Sequence, residues 1–266
     1  MRICVAQTTT IEETPMLIHP TREKLQALKL TGMLKALDES HGRSDIAALS
    51  FEERLGLLVD REILERDNRR LKTRLRVARL RQSASLEDVD YRHPRGLDRG
   101  LLTELGTCRW VHEHLNILLC GPTGVGKTWL ACALAHQACR EGYRTLYSRL
   151  PRLLQDLTLA RADGRYGKVL RELAKTDVLV FDDWGLAKLT DEHRRDLLEI
   201  LDDRHGQGST LVTSQFPVDR WHELIGDPTL ADAILDRLVH NAYRLNLTGD
   251  SMRKTRAILT PTDDVQ

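Results

Sequence analysis

The sequence holds no apolar run that approaches the length of a membrane span, so a helical membrane protein is excluded and no membrane partner is expected. Its first ten residues, Met1 to Thr10, lack the apolar core of a secretory leader. Aromatic residues are scarce at 5%, but hydrophobic residues reach 41% and charged residues 30%, the balance of a globular protein with many exposed charges. Five cysteines, at positions 4, 108, 120, 132 and 139, form no C-x-x-C pair, which argues against a zinc site or a disulfide framework. Cys132 and Cys139 fall on one face of an expected helix and read as core thiols. Net charge is only +1, so any attraction to nucleic acid must come from local clustering. There is no internal repeat and no low-complexity tract. What remains is a cytoplasmic, reducing-compartment protein of 266 residues, enough for one large domain or a small one plus a medium one.

Against that background one stretch stands out. Gly121-Pro122-Thr123-Gly124-Val125-Gly126-Lys127-Thr128 satisfies G-x-x-x-x-G-K-[ST] at every fixed position. The apolar run Leu115 to Cys120 before it reads as a buried strand, and Trp129 to Ala135 after it as a helix. Glycines let backbone N–H groups converge on phosphate oxygens, and the helix N-terminus adds partial positive charge. Lys127 is placed to reach the terminal phosphates, Thr128 to ligate Mg²⁺, and Trp129 follows directly at the site. ATP and Mg²⁺ are the expected cofactors.

A second apolar strand, Asp177 to Phe181, runs into Asp182-Asp183. Asp182 suits Mg²⁺ through water, and Asp183 suits polarisation of an attacking water, although aspartate is one methylene shorter than the more usual glutamate. A third strand, Thr210 to Gln215, ends in polar groups at the expected nucleotide edge. Gln215, then Ser214, are the candidates to bind the γ-phosphate or orient water there; the alternative is a polar strand end facing solvent. Arg237, on an amphipathic helix, and Arg253, in Gly249-Asp250-Ser251-Met252-Arg253, are candidates to stabilise transition-state charge. A surface salt bridge is the competing reading for each.

The rest of the chain sorts around these motifs. Residues 1–16 are polar and Thr-rich, expected to be disordered. Residues 17–82 read as a small all-helical domain. Leu25, Leu28, Met33, Leu34 and Leu37 form one apolar stripe, Phe51, Leu55, Leu58 and Val59 another, and Ser50 to Glu53 has capping-box spacing. Its end, Arg66 to Arg81, carries eight basic residues and one acidic. Arg69, Arg70, Lys72, Arg74, Arg76 and Arg79 are therefore candidate DNA-phosphate contacts. The alternative is a solvated basic face answering acidic patches such as Asp202-Asp203. Residues 83–109 read as a linker with a short helix near Leu101 to Leu105. Residues 110–266 alternate strands (115–120, 143–148, 178–183, 209–214, 243–247) with helices (127–140, 151–162, 190–204, 229–240). The expected fold class is α/β, a P-loop ATPase core with a five-stranded parallel sheet behind the helical domain.

In order and spacing these motifs resemble the IstB-like ATP-binding proteins, helper ATPases of bacterial insertion sequences related to DnaC and DnaA within the AAA+ superfamily. Asn116 on the entering strand, the phosphate loop, Asp182-Asp183, Thr213-Ser214-Gln215 and Gly249-x-Ser251-x-Arg253 carry the resemblance. Gln215 departs from a more usual asparagine, and Phe216 from a common arginine. The resemblance implies an AAA+ core in which Arg237 is a trans-acting arginine finger and Arg253 the sensor II arginine. It also implies a homo-oligomer with intersubunit ATP sites that assembles on double-stranded DNA in the ATP state, deforms it and recruits or stimulates a cognate transposase. Hydrolysis would reset the assembly. A DnaC-like helicase loader is the alternative, and a small-molecule P-loop kinase a third reading.

Overall fold

The computed structural model describes residues 18–40 and 43–252. The segment 1–16 and Arg253 lie outside the described residues. The chain divides into two compact units, one up to Arg70 and one from Leu71 onward.

The first unit is helical: α1 (Ile18–Ala27), α2 (Thr31–Ser40), α3 (Ser44–Ala47) and the opening turns of α4 (Phe51–Ala78). The capping box forms as its spacing implies. Ser50 Oγ accepts from the Glu53 amide at 3.3 Å, and the Glu53 carboxylate accepts from the Ser50 amide and hydroxyl at 2.8 Å each. Gly32 lets α2 approach α4 closely, because a Cβ there would lie 2.6 Å from Arg61 O and Glu62 Cα. The buried Glu62 then caps α2, accepting from the amides of Gly32 (2.6 Å) and Met33 (3.2 Å) and from Arg66 Nε (2.7 Å). The two expected apolar stripes are only partly covered. Leu28 stays 67% exposed and Phe51 71%, with Leu55 and Val59 also exposed. Periodicity marks an apolar face but cannot say what covers it.

The second unit begins with the end of α4, then α5 (Arg99–Gly106) and α6 (Arg109–His112). Strands β1 (Asn116–Cys120), β2 (Thr145–Arg149), β3 (Val178–Trp184), β4 (Ser209–Ser214) and β5 (Ala242–Asn246) follow. Between and after them come α7 (Lys127–Arg140), α8 (Leu150–Ala162), α9 (Tyr166–Ala174), α10 (Asp191–Arg204), α11 (Trp221–Ile225) and α12 (Pro228–Val239). The five strands form one parallel sheet in the order β2-β3-β4-β1-β5. Helix α9, amphipathic and short, went unread in the sequence. Its core-facing residues Leu170 and Leu173 are buried.

Both faces of the sheet are covered, which is why its strands read as near-continuous apolar runs. One core packs β1 and α7 residues such as Leu119 and Leu134 with Ala84, Val89, Leu102, Leu105 and Cys108. Residues 83–109, expected as a linker, thus supply core side chains, and the Trp110 indole after them donates to Leu105 O at 3.0 Å. The other core holds Phe181, Trp184, Leu197 and Trp221, with Trp184 and Trp221 ring centroids 5.0 Å apart. Phe216 packs against this core and leaves no room for a side chain at Gly185, where a Cβ would lie 3.2 Å from its ring, while Trp221 Nε1 donates to Phe216 O at 3.1 Å. That accounts for an apolar ring at a position where the family resembled commonly has an arginine. Each such buried aromatic stabilises the fold by about 1.5–3 kcal/mol.

Asn116 ties the sheet to α12. Its Nδ2 donates to the carbonyls of Arg237 (2.9 Å) and Leu238 (3.2 Å), and its Oδ1 accepts from Thr210 N at 2.9 Å. Cys108, Cys120, Cys132 and Cys139 are free and buried, and burial raises the Cys108 thiol to about 12 and Cys120 to about 11. They are unreactive core thiols. Among the described residues no helix is long and apolar enough to cross a membrane.

Candidate nucleotide site

The site sits where β1, β3 and β4, neighbours in the centre of the sheet, reach their C-terminal ends. Residues 121–126 connect β1 to α7. Gly124 has φ 90°, and a Cβ there would lie 2.1 Å from Ser251 Oγ, so only glycine fits. Gly126, at φ 95°, precedes the first turn of the fourteen-residue α7. Lys127 Nζ donates to Gly121 O and Pro122 O at 2.7 Å each. A cavity of about 390 Å³ opens over the loop, lined by Thr123, Gly124, Gly126, Lys127, Thr128 and Trp129. Arg149, Asp183, Ser214 and Gln215 close it from the sheet side, and Arg81, Arg95 and Met252 from the flanking segments.

Asp182 is the electrostatic centre. It is fully buried, and Thr128 Oγ1 donates to its two oxygens at 3.0 and 3.1 Å. The hydroxyls of Tyr147 on β2 and Thr213 on β4 donate to it as well. Arg81 Nη1 lies 3.8 Å from Asp182 Oδ2. Burial, then the bond to Asp182, raises the Tyr147 phenol well above its ordinary value. Contact with Tyr147, opposed by burial, raises Arg81.

Adjacent residues of a regular strand point to opposite faces, which would separate Asp182 from Asp183. Here β3 breaks register against β4 between Phe181 and Trp184, and Asp183 takes φ 66°. Such an irregularity re-aims side chains, and aspartate tolerates the left-handed region better than most residues. Asp182 turns to Thr128, while Asp183 lines the cavity and accepts from Arg149 Nε at 2.6 Å.

The remaining expected residues divide. Gln215 is exposed and lines the cavity. Ser214 also lines it, but its hydroxyl is engaged locally, donating to Trp184 O at 3.1 Å and accepting from Phe216 N at 3.1 Å. Arg237 lies away from the cavity of its own chain: it pairs with Asp202 on α10 and donates to Ala233 O at 3.0 Å. Arg253 lies outside the described residues, although Met252 N donates to Gly124 O at 3.1 Å just before it.

Along the basic segment, Arg69 donates to Thr31 Oγ1 at 2.6 Å and Arg70 pairs with Asp67 at 3.3 Å. Arg74 Nε donates to Cys139 O at 2.8 Å, capping α7. Lys72, Arg76 and Arg79 are exposed, with no side-chain hydrogen bond or ion pair among the described residues.

Four side chains at the site carried no usable sequence signal, and a fifth, Thr213, was marked only as part of the Thr213-Ser214-Gln215 strand end. Tyr147, Thr213, Arg149, Arg81 and Arg95 reach it only through tertiary packing. Arg95 is 2% exposed, donates to Val125 O at 3.1 Å and Asp90 O at 3.2 Å, and burial lowers its pKa.

The profile of the family described as IstB-like ATP binding protein matches residues 23–259. The chain belongs to the IstB-like ATP-binding protein family. It is 54% identical over 241 residues to a putative insertion sequence ATP-binding protein of Sinorhizobium fredii, covering 91% of this chain and 98% of that protein. It is 52% identical over 203 residues to an insertion sequence putative ATP-binding protein of Pseudomonas fluorescens, covering 76% and 88%. Among solved structures it is similar to DnaI, with TM-score 0.54 and 26% identity over 64% of this chain and 92% of that one. AMPPCP-bound DnaA from Aquifex aeolicus shares the fold, with TM-score 0.52 and 18% identity over 70% of this chain and 59% of that one. The IstB-like chain thus has the AAA+ P-loop fold, and its ATP-binding character follows from its family.

Proposed function

We propose that this protein is an ATP-hydrolysing regulator of transposition that assembles as a homo-oligomer on double-stranded DNA and stimulates a transposase. The carrying observation is the convergence of Lys127, Thr128 and Asp183 on one cavity, with the buried Asp182 bonded to Thr128 directly behind it, in a chain similar to insertion sequence ATP-binding proteins. Lys127 and the loop amides would hold the β- and γ-phosphates. The donor set beside them is oxygen only, a hydroxyl and a buried carboxylate, which suits Mg²⁺ rather than a softer ion. Thr128 and Asp182 would hold that ion, which when bound neutralises phosphate charge.

Asp183, with carboxylate toward the cavity, would accept the proton of the attacking water. Gln215 at the strand end would orient that water. Arg237, turned from its own cavity, and Arg253 are assigned by similarity as the trans-acting finger and sensor II. Lys72, Arg76 and Arg79 supply sequence-independent phosphate contacts, and repeated contacts along an oligomer offset the cost of bending DNA. The proposed division of roles gives DNA or partner binding to the helical segment 17–82 and ATP hydrolysis to 110–266, whose core takes in side chains from 83–109.

The deciding experiment measures duplex DNA binding by anisotropy, and particle mass by light scattering, with ATP, with ADP and without nucleotide. ATP-dependent growth on duplex DNA supports the reading. Preference for single-stranded DNA together with capture of a replicative helicase would replace it with a helicase-loader role. Phosphate release indifferent to DNA and to protein concentration would point instead to a small-molecule kinase or a simple ATPase.

A further inference from the structure

Arg81 has no place in the nucleotide chemistry outlined above, yet it stands at its centre. It follows α4 by a short turn: Ala78 is buried, Arg79 is left-handed at φ 52°, and Leu80 packs against the core. That turn directs Arg81 into the cavity, Nη1 3.8 Å from Asp182 Oδ2. Among the described residues it is the only cationic side chain within ion-pair distance of Asp182. The other groups on that carboxylate are hydroxyls of Thr128, Tyr147 and Thr213, which hydrogen-bond but bring no charge. A fully buried carboxylate needs a compensating cation, and Arg81 supplies it.

Arg81 also contacts the Tyr147 hydroxyl, but its attachment to Asp182 itself is loose. The pair is longer than a charge-assisted hydrogen bond and is not bidentate, and the Arg81 side chain is 46% exposed while Asp182 is 0% exposed. A divalent cation held by Thr128 and Asp182 would bring two further positive charges to the same carboxylate. Two cations at such spacing repel, the more so in a partly dry cavity.

We propose that Arg81 and the divalent cation compete for Asp182, so that filling the metal site releases the Arg81 side chain. This rests on the ATP-site reading above. Arg81 is then a positioning residue. It compensates Asp182 when the cation is away and yields when it arrives. Cation binding and the placement of the Arg81 side chain become linked, and linkage is reciprocal.

The test uses the full chain with Arg81→Gln and Arg81→Lys, each checked for wild-type thermal unfolding. Mn²⁺ is titrated by electron paramagnetic resonance in the presence of a non-hydrolysable ATP analogue. Binding of a fluorescent ATP analogue is measured in EDTA and in Mg²⁺. Loss of the competing charge in Arg81→Gln should tighten Mn²⁺ by about fivefold or more, leave binding in EDTA unchanged, and leave Arg81→Lys near wild type. Unchanged Mn²⁺ affinity overturns the proposal. So does weaker nucleotide binding in both EDTA and Mg²⁺, which would make Arg81 a phosphate ligand instead. A wild-type protein that binds no nucleotide in either condition removes the ATP-site reading itself, a failure distinct from a wild type that binds normally beside an indifferent Arg81→Gln.

Discussion

The Thr213 hydroxyl bridges the two carboxylate residues of β3: it donates to Asp182 Oδ1 and accepts from the Asp183 amide at 3.2 Å. One side chain on β4 therefore holds both the orientation of the buried Asp182 and the turn that exposes Asp183. Thr213→Val keeps the shape and removes both bonds. We expect a loss of about 1–3 kcal/mol in unfolding stability and weaker Mg²⁺ dependence of nucleotide binding, measured by denaturant unfolding and fluorescent-nucleotide titration. Wild-type stability and Mg²⁺ dependence would show that Asp182 is held without Thr213.

Lys127 provides the charge at the floor of the cavity. Lys127→Ala should weaken ATP binding by about 10- to 100-fold, the value of a charge-assisted hydrogen bond to phosphate. Two of the partners lost are the loop carbonyls of Gly121 and Pro122, so thermal unfolding of the variant is measured beside its affinity. Isothermal titration checks the affinity, and unchanged ATP binding would place the nucleotide elsewhere.

Arg149 restrains Asp183 through its 2.6 Å ion pair. Arg149→Ala frees that carboxylate to face water in the cavity. Basal phosphate release, followed at saturating ATP, should rise severalfold. A fall would mean instead that Arg149 contributes directly to the reaction.

Glu62 ties the fold of the helical unit to pH. Burial opposes its charge, but the bonds from Arg66 and from the Gly32 and Met33 amides outweigh it and hold the carboxyl below its ordinary 4.5. The unfolded chain thus binds the proton more readily. The stabilisation is complete above the ordinary value and is lost as pH falls through the lower folded value. Helical content followed by circular dichroism should fall in that acid range. Glu62→Gln should lower stability at neutral pH by about 1–3 kcal/mol and flatten the acid transition.

The basic segment separates into two jobs. Replacing Lys72, Arg76 and Arg79 with alanine should reduce the slope of log affinity against log salt for duplex DNA by about 0.9 per residue, without lowering the melting temperature. Arg74→Ala should lower the melting temperature, because Arg74 caps α7 at Cys139 O. An unaltered salt slope in the triple variant would move the DNA surface elsewhere.

Much of this molecule was legible in one dimension, for local reasons. The glycine spacing of 121–128 requires left-handed backbone, and Gly124 and Gly126 adopt it at φ 90° and 95°. The strands of a sheet covered on both faces read as apolar runs, and the Ser50–Glu53 cap depends on three-residue spacing alone. These features are set by neighbours in the chain, so the residues themselves announce them. Relations between distant segments were decided only by the tertiary structure. Nothing in the run Asp182-Asp183 reveals the register break that lets both carboxylates serve one site. Nothing at Tyr147 or Arg149 says that β2 lies beside β3 and delivers them to those carboxylates. Arg74 and Arg81 look like members of one basic run, yet one caps a helix and the other faces Asp182. A charge in sequence carries no address, and only packing decides what it meets.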